Sequence, residues 1–106
     1  MISRIPPLEA ADEIKRNGTS RLLDVRTAAE YATARIEDSV FISMDEISQR
    51  MNELDPETHW IVVCHHGYRS MQVAMWLESK GFEQVSNLEG GIERWSLEVD
   101  SNVPRY

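Results

Sequence analysis

"WIVVCHHGYRSMQ", Trp60 to Gln72, runs from an apolar stretch through a polar loop into a segment of helical periodicity. Trp60 to Val63 show no polar alternation, which predicts a strand covered on both faces. Behind the loop, the spacing predicts a helix over Ser70 to Lys80 with Val73, Trp76 and Leu77 on one face. A doubly covered strand feeding a helix is half of a parallel crossover unit, so the fold class turns on whether the unit repeats.

It does. "RLLDV" (Arg21 to Val25), "VFI" (Val40 to Ile42) and "VSNL" (Val85 to Leu88) read as further short strands. Between them lie helix signals. Leu8, Ala11 and Ile14 recur at helical spacing after Pro6-Pro7, and Asn17-Gly18 stops that helix. "TAAE" (Thr27 to Glu30) and "SMDE" (Ser43 to Glu46) have capping-box spacing. Met44, Ile47, Met51 and Leu54 share a face behind the second, and Asp55-Pro56 ends it. Gly81 suits the left-handed position after a helix, with Phe82 folding back on Leu77. Gly90-Gly91 opens a last helix with Ile92 and Trp95 inward; Trp60, Trp76 and Trp95 read as core anchors. The expectation is an α/β fold: one domain over residues 1–106, with a central, mostly parallel five-stranded sheet and helices on both faces.

A chain of 106 residues fits one compact domain. The net charge of -7 argues against nucleic acid or an anionic membrane as the main partner. A single cysteine cannot close an internal disulfide, no segment reaches the ~20 apolar residues of a membrane span, and the start lacks a signal-peptide pattern. The chain reads as cytoplasmic.

In parallel sheets, sites lie beyond the carboxyl ends of the strands, and Cys64 stands there. The following loop and helix N-terminus gather backbone N–H groups, which stabilise an anion. A thiolate is such an anion, so the placement favours a nucleophilic Cys64. Gly67 can take positive φ and let the loop curl with its amides inward, while Arg69 adds a cation at the rim and His65 and His66 add donors. Tyr68 and Ser70 complete the candidate substrate-binding loop. Asp24 and Arg26 read as structural support, an ion pair or loop-holding bonds at a strand end, and Glu30 as the capping partner of Thr27. His59, Cys64, His65 and His66 make an awkward metal set, because a strand separates His59 from three residues adjacent in sequence.

"CHHGYRS" resembles the active-site loop of the rhodanese family of sulfurtransferases, single-domain members in particular. "LLDVRTAAEY" (Leu22 to Tyr31) resembles that family's Asp-x-Arg strand end, and "NLEGGIERW" (Asn87 to Trp95) its Gly-Gly-Ile-x-x-Trp closing motif. "ARIEDSVFIS" lies where the family has Gly-His-Ile-x-Gly-Ala-x-Asn-Ile-Pro; Ala34, Arg35, Asp38, Phe41 and Ser43 depart from that pattern, and Glu37 stands at its first open position. The resemblance implies sulfane-sulfur transfer through a Cys64 persulfide, with thiosulfate as donor and cyanide or a thiol as acceptor, and no metal or organic cofactor. The persulfide would be cradled by the amides from His65 to Ser70. The tail "VDSNVPRY" (Val99 to Tyr106) is similar to the end of rhodanese domains fused to enzymes that activate sulfur carriers. A relay of persulfide to a sulfur-carrier protein, as in cofactor or tRNA thiolation, is therefore the alternative. A cysteine phosphatase or arsenate reductase fits less well, since such enzymes put five residues between Cys and Arg and this loop has four. A third alternative is a redox-sensing or binding module that uses Cys64 without turnover.

Overall fold

The computed structural model describes residues 2–16 and 18–106. Among them five strands form one sheet: β1 (Ser3–Ile5), β2 (Ser20–Asp24), β3 (Val40–Phe41), β4 (His59–Val63) and β5 (Val85–Leu88). Their order is β1-β5-β4-β2-β3 and every pairing is parallel, so β4 lies at the centre, as its unbroken apolar sequence requires. The helices are α1 (Pro7–Arg16), α2 (Ala28–Thr33), α3 (Ile47–Arg50), α4 (Tyr68–Ser79) and α5 (Gly91–Glu98).

Strand alternation divides the core into two layers. Trp60, Val62 and Cys64 pack with Leu23, Ile47, Val73 and Leu77, under α3 and α4. Ile61 and Val63 pack with Leu22, Ala10, Ile92 and Trp95, under α1 and α5. The period of two thus sends the Cys64 side chain to the α4 face. The turn after α4 follows the expected left-handed geometry: Gly81 has φ +99°, and the Phe82 N–H donates to the Leu77 carbonyl at 3.2 Å.

Several local expectations are corrected. The inward face of α1 is Pro7, Ala10, Ala11 and Ile14, one residue round from the face read in the sequence, and Leu8 is 61% exposed. The stop read at Asn17-Gly18 rests in part on Asn17, which lies outside the described residues. Trp76 is only partly buried, with the Lys80 ammonium over its ring at 5.5 Å. The capping box at Thr27 forms: the Thr27 hydroxyl accepts the Glu30 N–H, and the Glu30 carboxylate accepts the Thr27 N–H. The one at Ser43 does not. The Ser43 hydroxyl donates to the Asp45 carboxylate at 2.7 Å, Arg50 takes the Glu46 carboxylate, and the Glu46 N–H turns to the Ser43 carbonyl. The segment becomes a four-residue α3 between two single 3₁₀ turns, yet Ile47 and Leu54 still reach the core.

Asp38 is the one described non-glycine residue at positive φ, +66°. It stands where the family segment quoted above carries its second glycine, and aspartate is among the residues that tolerate the left-handed region best.

Candidate active site

Cys64 directly follows β4 and is 1% exposed. The loop returns at Gly67, which has φ +107° and caps α4. That conformation aims the Gly67 N–H at the thiol, with nitrogen and Sγ 3.1 Å apart. In the first turn of α4, the Ser70 hydroxyl oxygen accepts from the Cys64 thiol at 3.3 Å. Ser70 donates in turn to Oδ1 of Asn87, and Nδ2 of Asn87 donates to the Gly67 carbonyl at 3.0 Å. Thiol, loop and the adjacent strand β5 are thereby locked into one buried network. A hydroxyl can donate or accept, so Ser70 can serve the thiol as acceptor and a thiolate as donor.

Helix α5 fixes the loop from the other side. Its first amides, from Ile92 and Glu93, donate to the carbonyls of Cys64 (2.9 Å) and His65 (3.2 Å). Gly90 and Gly91, both at positive φ, bring the helix end that close.

Arg69 departs from the role read in the sequence. Its guanidinium makes a bidentate pair with Glu30 on α2, at 2.7 and 2.9 Å, so the cation expected to face a donor is already neutralised. Glu30 therefore does more than cap α2. Hydrogen bonding from Arg69 holds its carboxyl well below the usual carboxylate range, against the opposing effect of burial. The Tyr106 hydroxyl donates to Glu30 at 2.9 Å and accepts from Arg26 at 2.9 Å. The Tyr106 ring stacks on His65 with centroids 4.0 Å apart, and His65 stacks on His66 at 4.1 Å. Burial, then the neighbouring His66, lowers the pKa of His65, which favours its neutral form in the stack.

Arg26 is fully buried. It forks onto Asp24 at 2.7 to 3.1 Å and donates to the carbonyls of Glu30 and Ala34. Every arm of the guanidinium is bonded, which ties the end of β2 to the middle and the C-cap of α2. Tyr68 is 81% exposed. His59 sits at the far end of β4, with Nε2 2.7 Å from the Ser86 hydroxyl, so it lies about a strand length from Cys64.

A depressed carboxyl pKa stabilises the fold above the unfolded value, and that contribution is lost as pH falls toward the folded one. Glu30→Gln is accordingly expected to cost about 1 kcal/mol at neutral pH, a modest figure because the pair is partly exposed. Urea denaturation should show the wild-type advantage shrinking progressively below about pH 4. A gap independent of pH would mean that the Glu30 charge carries none of it.

Comparison with known proteins follows the same outline. A family model described as Rhodanese-like domain matches residues 7–98. The chain belongs to the rhodanese-like domain family. Among relatives, it is 34% identical over 98 residues to the putative sulfurtransferase YtwF of Bacillus subtilis, covering 92% of this chain and 94% of that protein. It is 36% identical over 92 residues to the thiosulfate sulfurtransferase GlpE of Pseudomonas syringae pv. syringae, covering 87% and 85%. It spans only 30% of the length of the rhodanese-like/PpiC domain-containing protein 12 of Arabidopsis thaliana, at 37% identity. The crystal structure of a rhodanese-like domain protein from Staphylococcus aureus superposes with a TM-score of 0.85 at 28% identity, covering 99% of each chain. The rhodanese-like assignment agrees with the five-stranded parallel sheet and its two helical layers. Among the described residues, no helix is long and apolar enough to cross a membrane.

Asn87, Glu30 and Tyr106 are the site residues that sequence reasoning missed. Asn87 carried a signal, as a polar residue inside an apolar strand next to Gly90-Gly91; Tyr106 carried only the resemblance of the tail, which does not place its side chain at the site.

Proposed function

We propose that this chain is a sulfurtransferase that takes the outer sulfur of thiosulfate onto Cys64 and passes it to a thiophilic acceptor. The observation that carries the reading is the Cys64 Sγ held 3.1 Å from the Gly67 amide at the N-terminus of a twelve-residue helix. The resemblance to thiosulfate sulfurtransferases supports it.

The Cys64 thiolate attacks the outer sulfur of thiosulfate. A cysteine–sulfur bond forms, the sulfur–sulfur bond of the donor breaks, and its electron pair leaves with sulfite. The product is a Cys64 persulfide anion, with charge conserved. Cyanide or a thiolate then attacks the terminal sulfur and returns Cys64 as a thiolate, giving thiocyanate or a new persulfide. A sulfur-carrier protein that offers a cysteine thiolate belongs to the same class of acceptor. The loop amides and the Ser70 hydroxyl act on the negative charge that each step places at this spot. A phosphatase reading is disfavoured, because Arg69 is engaged by Glu30 and the loop is one residue short.

Incubation with thiosulfate should add one sulfur atom to the intact mass, located on Cys64, and cyanide should remove it as thiocyanate. An unchanged mass after thiosulfate and after organic persulfide donors would overturn the proposal.

A further inference from the structure

The chain has nine arginines, and eight of them are committed. Arg16, Arg26, Arg50, Arg69, Arg94 and Arg105 are paired with carboxylates. Arg21 and Arg35 lie over the rings of Trp60 and Tyr31. Among the described residues Arg4 alone has neither kind of partner.

Its position is specific. Arg4 stands on the edge strand β1 in register with Asn87 of β5, and neighbours in register project to the same face of a sheet. Asn87 is the residue that binds the Gly67 carbonyl and Ser70 beneath the thiol. Arg4 consequently lines a groove of about 390 Å³ together with His66, Gly67, Tyr68, Asn87 and Glu89. One wall of that groove is the residue whose amide holds the thiol, and the carboxylate of Glu89 is drawn aside by Arg94 at 3.4 Å.

The donor proposed above is a dianion, and the protein carries a net charge of -7. An anion approaching Cys64 meets repulsion overall, and Arg69, beside the loop, is already neutralised by Glu30. An uncommitted guanidinium in the adjoining groove supplies the missing complement. We propose that Arg4 is a specificity residue that binds the anionic sulfonate end of the sulfur donor, in the groove between β1 and the α4 N-terminus, and holds sulfite as it departs. The inference rests on the sulfur-transfer reading for the identity of the ligand, and on the groove alone for the recognition of an anion.

The test separates the two. Thiosulfate is titrated into Cys64→Ser protein, which cannot form a persulfide, and followed by the amide shifts of Gly67 and Gly90. The titration is repeated with Arg4→Gln and Arg4→Lys added. Binding should weaken roughly tenfold with glutamine and recover in part with lysine. In otherwise wild-type protein, Arg4→Gln should raise KM for thiosulfate by a similar factor with kcat within about twofold. Equal affinity with and without Arg4, or no binding to either protein, would overturn the proposal. Arg4-dependent binding in a protein that takes no sulfur from any donor would confirm the anion groove and sink the sulfur-transfer reading instead.

Discussion

Cys64→Ser is expected to eliminate both persulfide formation and thiosulfate:cyanide sulfur transfer, by at least about a thousandfold, while the fold persists. The two side chains differ chemically where it matters. A serine hydroxyl is barely ionised near neutral pH and is a poor nucleophile toward sulfur, and among the described residues no general base is bonded to the side chain at position 64 to activate it. The groups that touch Sγ are the Gly67 amide and the Ser70 hydroxyl. Structurally the two side chains are interchangeable. An Oγ at position 64 can accept the Gly67 N–H and donate to Ser70, so no buried polar atom is orphaned. The measurements are intact mass after thiosulfate, thiocyanate release, and a thermal melt. Turnover above a few per cent of wild type would move the nucleophile elsewhere. A melt lowered by more than a few degrees would show that the sulfur also has a packing role.

What the sequence disclosed, and what it withheld, divides along the range of the interactions. The central strand was legible because a fully buried parallel strand must be apolar at every position, and Trp60 to Val63 are. The capping box at Thr27 and the left-handed turn at Gly81 were legible because each is settled within six residues. The edge strand β1 was not: of its three residues only Ile5 is buried, so it has no period to read. The failure at Ser43 shows a local signal losing to another, since Asp45 and Arg50 compete for the groups a capping box needs. The position of Cys64 and the curl at Gly67 followed from strand, glycine and helix in series. Its surroundings did not. Arg69 meets Glu30 across 39 residues and Arg26 meets Tyr106 across 80, and no spacing rule reaches that far. Arg69 and Arg4 exchange roles for this reason: the cation nearest the thiol in sequence is neutralised by the fold, and one sixty residues earlier is left open.

Gly91→Ala is expected to be the most disruptive single-methyl change in the site. A Cβ on Gly91 would overlap the backbone carbonyl oxygens of Cys64 and His65, and backbone cannot step aside as a flexible side chain can. Either the N-terminus of α5 lifts or the loop is pushed away from it. Both responses break the bonds from Ile92 and Glu93 to those carbonyls. Losing two such bonds, the Cys64 one at a fully buried residue, costs about 1–3 kcal/mol each. The left-handed backbone at φ +61° adds about 1–2 kcal/mol once a side chain is present. A loss of about 3–8 kcal/mol consumes much of the ~5–15 kcal/mol that stabilises a domain of this size, so the melting temperature should fall by roughly 15 °C or more. Gly67→Ala is the matched control. Its φ of +107° carries a comparable backbone penalty, but an added Cβ would meet its nearest neighbours at 3.6 Å, an ordinary contact. Its stability loss should therefore stay near the strain alone, about 1–2 kcal/mol. If urea titrations give the two variants equal losses, the α5 end does not clamp the loop. If Gly91→Ala is much the weaker and persulfide formation falls with it, the thiol owes its geometry to a contact made from the far side of the loop, by a helix that never touches sulfur.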